Sequence, residues 1–273
     1  MENLEYLECN MKKLKFLIVE KDDEGIYYLT LNNPKQKNAL NICMIKEFLK
    51  TLKELKENSE VRVLCISGAG NIFSAGADLD WMKESRNLSL NQNKKDALNF
   101  TSLLEQIDSF PRPTIAIING HAFGGGLGII AACDFSIANE NAKFCFSEVK
   151  LGLIPAMIAP YILRNIGYKK TKSLFLTGEV FNTEKAIEIE LIDYSVEETR
   201  IEDLKNVLIK KLLVGSPMAQ KEVKRFLSRI NYKEINKRLI NLSAEKIANI
   251  RIKPEAKEGI DAFLEKKKPK WIN

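Results

Sequence analysis

Apolar and polar residues alternate through Lys15–Lys21 and Gly25–Leu31, which predicts two strands joined by a turn at Asp22-Asp23-Glu24-Gly25. Pro34 breaks this pattern. Asn41 then stands where a helix N-cap is expected, because Ile45, Phe48, Leu49, Leu52 and Leu55 recur on one helical face that runs to about Asn58. Val61–Ser67 and Thr114–Asn119 are short, almost wholly apolar runs, as buried strands are, and Asp134–Ala138 reads as a further strand. Between them a helix is expected from Asp78, which is placed to cap it. A second, amphipathic helix covers Lys94–Asp108 and stops at Pro111-Arg112-Pro113, and a short apolar one covers Gly125–Ala132. This cycle of strand, loop and helix is an α/β signature. From about Ile201 the pattern changes to four charge-rich helices with apolar stripes, Ile201–Val214, Pro217–Arg229, Lys233–Ile250 and Pro254–Lys267. The expected organisation is a tail over 1–14, a core over 15–200 and a helical region over 201–273.

Composition narrows the class. At 273 residues, 45% hydrophobic and 29% charged, the chain can bury a full core and lacks a disordered signature. No apolar run approaches the ~20 residues of a membrane span, and the acidic stretch Met1 to Asn10 lacks the basic-then-apolar pattern expected of a signal peptide. The five cysteines (Cys9, Cys43, Cys65, Cys133, Cys145) are scattered without C-x-x-C spacing, which suits a reducing cytoplasm. A net charge of +6 is mild and favours anionic ligands such as nucleotide phosphates without implying nucleic acid.

The strongest local feature is Gly120-His121-Ala122-Phe123-Gly124-Gly125-Gly126-Leu127-Gly128, five glycines in nine residues at the mouth of the short apolar helix. Bare backbone N–H groups there suit an oxyanion or a phosphate. A second small-residue loop, Phe73-Ser74-Ala75-Gly76-Ala77-Asp78-Leu79, lies upstream, and Glu148 follows in an apolar stretch. Two N–H donors from small residues, Ala77 and Gly125, would stabilise a thioester enolate, each contributing roughly 2.7–4 kcal/mol of barrier lowering in a water-poor site. Glu148 would serve as the general base or acid.

Other chemistries fit less well. A Ser–His–Asp hydrolase could use only the single histidine, His121, which reads as structural, and no G-x-S-x-G is present. A single His with scattered Cys does not make a metal site. Gly126-x-Gly128-x-x-Ala131 matches a loose dinucleotide fingerprint, but the acid would then be expected near Ala138. Asp134 reads as a backbone hydrogen-bonding residue. A continuous basic and aromatic stripe for nucleic acid is missing.

Taken in order, Asn38-Ala39-Leu40, the 73–79 loop, Asn119 to Gly126, Ala131-Ala132-Cys133-Asp134 and Ser147-Glu148-x-x-Leu151-Gly152-Leu153-Ile154-Pro155 resemble the enoyl-CoA hydratase/isomerase (crotonase) superfamily. Leu176-Thr177-Gly178-Glu179 and Glu258-Gly259-x-x-Ala262-Phe263-Leu264-Glu265-Lys266 extend the match, so it covers about residue 15 to the end. The resemblance implies a ββα spiral core with a helical C-terminal region that forms trimers, or hexamers built from two trimers. It also implies acyl-CoA substrates, with coenzyme A as part of the substrate and no further cofactor. Ala77 and Gly125 would hold the thioester oxygen. Ala39, Ala75, Asp78 and Leu79 fall at CoA-contacting positions, Lys37 is a phosphate partner, and Phe263 and Lys266 would reach CoA from a neighbouring subunit. Some relatives of this family bind RNA.

One departure bears on the reaction. Two-glutamate hydratases carry their first Glu at the position of Gly128, and here only the second, Glu148, is present. That single-carboxylate pattern is similar to the Δ3,Δ2-enoyl-CoA isomerases. The flanking residues, Phe123 to Asp134, Phe144 to Pro155 and Ala159-Pro160-Tyr161, look most like the bacterial methylglutaconyl-CoA hydratase branch. Gly128 would then leave room for a branched or carboxylated acyl group or an ordered water, and Trp81 and Met82 would line the acyl pocket. Hydration of a 2-enoyl-CoA is the favoured expectation, with isomerisation as the alternative.

Overall fold

The computed structural model describes residues 11–230 and 234–272. The expectation for 1–10 and the start at Lys233 lie outside these residues, and the helix expected there begins later, at Lys237, where the Asn236 side chain caps it. In chain order the strands are β1 (Met11–Lys13), β2 (Leu17–Lys21), β3 (Ile26–Leu31), β4 (Val63–Gly68), β5 (Ile72–Ser74), β6 (Thr114–Ile118), β7 (His121–Phe123), β8 (Phe135–Asn139), β9 (Lys143–Cys145), β10 (Val180–Asn182) and β11 (Tyr194–Val196). The helices are α1 (Ile42–Glu57), α2 (Leu79–Ser85), α3 (Leu90–Asp108), α4 (Gly125–Ala132), α5 (Ala159–Thr177), α6 (Thr183–Glu188), α7 (Ile201–Leu213), α8 (Pro217–Ile230), α9 (Lys237–Arg251) and α10 (Pro254–Leu264).

Seven strands form one sheet in the order β1-β2-β3-β4-β6-β8-β11, and four short strands form a second in the order β10-β9-β7-β5. In the large sheet, β1 to β3 pair antiparallel and every later pair is parallel. Its central strands are apolar on both sides because both faces are covered. Leu64, Ile66, Ala116 and Ile118 pack into the main core with Phe48, Leu103 and Leu127 from α1, α3 and α4. Their neighbours Val63, Cys65, Ile115, Ile117 and Ile137 face the other way, onto Ile201, Leu208 and Ile209 of α7. The period-2 alternation of strand side chains thus divides one sheet between two cores.

Two boundaries need correction. Met11–Lys13 is not tail, because it pairs antiparallel with β2 as an edge strand, Met11 opposite Glu20. Nor does the core end at residue 200, since α7 covers a sheet face and belongs to the core; the change of character comes after Leu213. Helix α5 and the second sheet left no clear pattern in the sequence. In α5, Pro160 sits at the start and Gly167 is non-helical (φ 74, ψ 167), so the 3.6-residue period is interrupted. The strands of the second sheet are three residues each, too short to show alternation.

The last three helices are different in kind. Among their described residues only Ala262 is buried, and Val223, Leu227, Ile240, Ile247 and Ile260 stand uncovered on the surface. Lys224 ties α8 to the core through the Asp134 carboxylate at 2.5 Å and the Arg112 carbonyl at 3.2 Å.

Candidate active site

The first wall of the site is the chain between β5 and α2. Leu40 donates its N–H to the Gly76 carbonyl at 2.7 Å and accepts from the Asp78 N–H at 2.9 Å, forming an isolated parallel bridge opposite Ala77. Successive peptide groups of an extended strand point in opposite directions, so Ala77's own N–H is turned away from Leu40. Asn38 anchors this segment from beneath. It has no solvent exposure, and its side-chain amide donates to the Ala69 and Ile72 carbonyls at 2.9 and 2.7 Å and accepts from the Asn33 N–H at 3.0 Å. Ser74 Oγ donates to the Asn38 carbonyl at 2.9 Å and accepts from the Gly76 N–H at 3.2 Å.

The second wall is the glycine turn between β7 and α4. Gly124 caps the helix with φ 47 and ψ −116, a backbone shape that side chains disfavour, and its N–H bonds the Cys145 carbonyl at 3.0 Å. Gly125 is the first helical residue, so the helix supplies no acceptor for its N–H. Among the described residues neither Ala77 N–H nor Gly125 N–H has a hydrogen-bond acceptor. The two walls meet at bare backbone: a methyl on Gly124 would lie 3.9 Å from the Gly76 Cα and 3.1 Å from Glu148 Oε1. Gly124→Ala is therefore expected to strain the turn and push the carboxylate aside, reducing kcat by about 10²-fold or more while KM changes less, as steady-state kinetics would show.

Glu148 enters on a single 3-10 turn, Ser147–Leu151, which closes at the left-handed Gly152. Its Oε2 is buried without a hydrogen-bond partner. Burial raises its pKa above the ordinary glutamate value, and a bond from its own backbone N–H opposes this in part. A cavity of about 440 Å³ joins Ala77, Gly125 and Glu148 to an apolar wall that includes Leu40, Trp81, Met82, Phe100, Met157 and Ile158. Among the described lining residues Glu148 is the sole ionisable group. A buried carboxylate oxygen in an apolar-walled cavity that also holds two unclaimed backbone donors is suited to moving a proton on carbon while the donors hold a developing oxyanion.

The sequence matches the enoyl-CoA hydratase/isomerase family over residues 21–273. The chain belongs to that family. The crystal structure of an enoyl-CoA hydratase from Shewanella pealeana superposes with a TM-score of 0.93 at 37% identity, covering 97% of this chain and 99% of that one. A probable enoyl-CoA hydratase of Bacillus subtilis is 33% identical over 91% of this chain and 96% of its own length. A trans-2-decenoyl-[acyl-carrier-protein] isomerase of Streptococcus mutans is 29% identical over 91% and 95%. The chain is accordingly an enzyme of the enoyl-CoA hydratase/isomerase family, with the α/β fold of its structural neighbours and a helical C-terminal region.

Within this family frame, the residues singled out in the sequence separate into groups. Ala75, Ala77, Leu79, Trp81, Met82, Gly125 and Glu148 all line the cavity. Asp78 stands beside it, and its carboxylate accepts from the Asp80 and Trp81 N–H groups as the N-cap of α2. Ala39 is buried, and Lys37 is exposed with φ 53, its carbonyl accepting from the Ala75 N–H at 2.9 Å; neither is part of the cavity wall. Phe263, 82% exposed, and Lys266, at φ 55, lie on α10 and just after it and do not line the cavity of their own chain. His121 Nδ1 accepts from the Lys143 N–H, and Asp134 accepts from the Thr114 N–H and hydroxyl, so both act structurally. Among the described residues no His/Cys/Asp/Glu group is placed to hold a metal, and no helix is long and apolar enough to cross a membrane.

Gly128 requires correction. It makes no room for a branched or carboxylated group or a water, because a methyl there would overlap Ile158 Cγ2 and come within 3.3 Å of Leu104 Cδ1. Gly128 lies behind the wall, and Ile158 forms the wall. Phe100, Met157 and Ile158 carried no sequence signal of membership in the site, since each reads as ordinary core, whereas Leu40 was marked only as part of the Asn38-Ala39-Leu40 motif. Asn38 did leave one: an Asn after a Pro-containing turn is a candidate for the left-handed conformation it adopts, φ 53.

Proposed function

We propose that this enzyme hydrates the double bond of a 2-enoyl-CoA. The reading rests on one observation, the buried and unpartnered Glu148 Oε2 in a cavity that also holds the unclaimed Ala77 and Gly125 N–H groups. The two N–H groups would polarise the thioester carbonyl and hold the enolate oxygen. Glu148 would take a proton from water as the hydroxyl adds at C3, then return that proton to C2, leaving the carboxylate regenerated. Burial favours the protonated form that the second step needs. Because one carboxylate with two oxygens performs both transfers, no second acid is required.

Among the described lining residues there is no lysine, arginine or histidine to pair with an acyl carboxylate. With no space at Gly128 either, an uncharged enoyl group comes before the methylglutaconyl type. Coenzyme A would enter as part of the substrate, with Lys37, Ala39, Ala75, Asp78 and Leu79 along its path. The uncovered apolar residues of α8 to α10 support a trimer or a dimer of trimers, in which Phe263 and Lys266 would reach a neighbour's CoA.

A second reading, Δ3,Δ2-isomerisation, is favoured by the lone carboxylate and by Ile158 filling the space at Gly128. One base that removes a proton and returns it two carbons away needs no water. Following the conjugated thioester absorbance decides between them. A fall with crotonyl-CoA is expected, and a smaller one with 3-methylglutaconyl-CoA. A rise with a 3-enoyl-CoA and no change with either 2-enoyl substrate would replace hydration by isomerisation.

A further inference from the structure

Ile158 and Gly128 are thirty positions apart in sequence and meet at the cavity wall. Ile158 is buried, 2% exposed, and lines the cavity, while its Cγ2 occupies the volume a side chain at 128 would take. Its backbone is fixed as the residue preceding α5, with its carbonyl accepting from the Tyr161 and Ile162 N–H groups, both at 3.1 Å. On the far side is the backbone of α4, where Gly128 has no side chain that could move to refill lost volume. Leu104, the next neighbour, is itself fully buried.

We propose that Ile158, seated against Gly128, is the gauge that sets how long an acyl chain the cavity accepts. The proposal rests on the acyl-CoA reading above and deepens it. Packed interiors relax only partly when a side chain is shortened, so trimming Ile158 leaves a cavity rather than a collapse. A glycine wall makes that relaxation smaller still. The vacated space is continuous with the cavity, apolar and able to take additional methylenes. A methyl at 128 acts in the opposite sense, because it drives Ile158 toward the ligand.

The test is binding of saturated acyl-CoAs, acetyl, butyryl, hexanoyl and octanoyl, by calorimetry, which is independent of turnover. In the unaltered protein, affinity is expected to rise with chain length and then fall. Ile158→Ala should move the optimum to longer chains, shifting the octanoyl-to-butyryl Kd ratio by about tenfold or more, as one methylene in a pocket can. Ile158→Val, which keeps most of the packing, should shift it the same way by less, and Gly128→Ala should shift it toward shorter chains. Chain-length profiles in Ile158→Val and Gly128→Ala that parallel the parent would overturn the gauge even if Ile158→Ala failed to fold. Absence of binding by any acyl-CoA to the unaltered protein would instead remove the acyl-CoA reading on which it stands.

Discussion

Glu148→Gln is expected to lower kcat on a turned-over enoyl-CoA by about 10³-fold, the scale of losing a positioned general acid–base. Glutamine preserves the shape and cannot carry the proton, and no other ionisable group among the described residues lines the cavity to replace it. The same substitution should stabilise the fold at neutral pH. Burial raises the Glu148 pKa in the folded state, so the charged form is penalised there relative to the unfolded chain. The contribution of this group to stability is fully present below the ordinary glutamate pKa of about 4.3 and is lost as pH rises through the raised folded value. Glutamine does not titrate. Thermal melts should therefore show the variant above the parent at neutral pH and the gap closing in acid. Equal melting temperatures at every pH, with activity retained, would remove Glu148 from the mechanism.

The largest stability loss is expected from Asn38→Ala. Three hydrogen bonds disappear from a site with no solvent exposure, leaving the Ala69 and Ile72 carbonyls and the Asn33 N–H without their partner. Alanine must also hold the left-handed backbone at φ 53, which asparagine tolerates better. Each orphaned group costs about 1–3 kcal/mol when fully buried, and because Asn33, Ala69 and Ile72 are half-buried the total is expected toward the lower end of roughly 3–9 kcal/mol, a large share of a typical 5–15 kcal/mol stability. Urea unfolding would measure it. Folded variant should also lose activity, because the Asn38 side chain ties the turn at Asn33 to the first residue of β5, which leads into the Ala77 loop. A loss below about 1 kcal/mol would show that water replaces the amide, contrary to its burial.

Several parts of the site were legible because their causes are local. The Asn41 cap of α1, the Asp78 cap of α2 and the bounds of α4 follow from residues within one helical turn of each other. Likewise, the small residues at 75–77 and 124–126 mark places where backbone must be approached closely. Helix α3 begins four residues before the amphipathic stretch that predicted it, because the capping box of Ser89 and Gln92 extends it through polar sequence.

The sequence by itself determined the α/β alternation, the two small-residue loops, the carboxylate and the family, since each rests on short-range pattern or on ordered motifs. Only the tertiary structure decided what those loops face. It set Gly76 against Gly124 and brought the Glu148 carboxylate against Gly124, across separations that no local periodicity encodes. It assigned α7 to the core, because an apolar helical face has no meaning until a sheet face is found for it. And it turned Gly128 from an opening into the back of a wall. A glycine in sequence is an absence, and whether that absence is space depends on which distant side chain fills it, here Ile158.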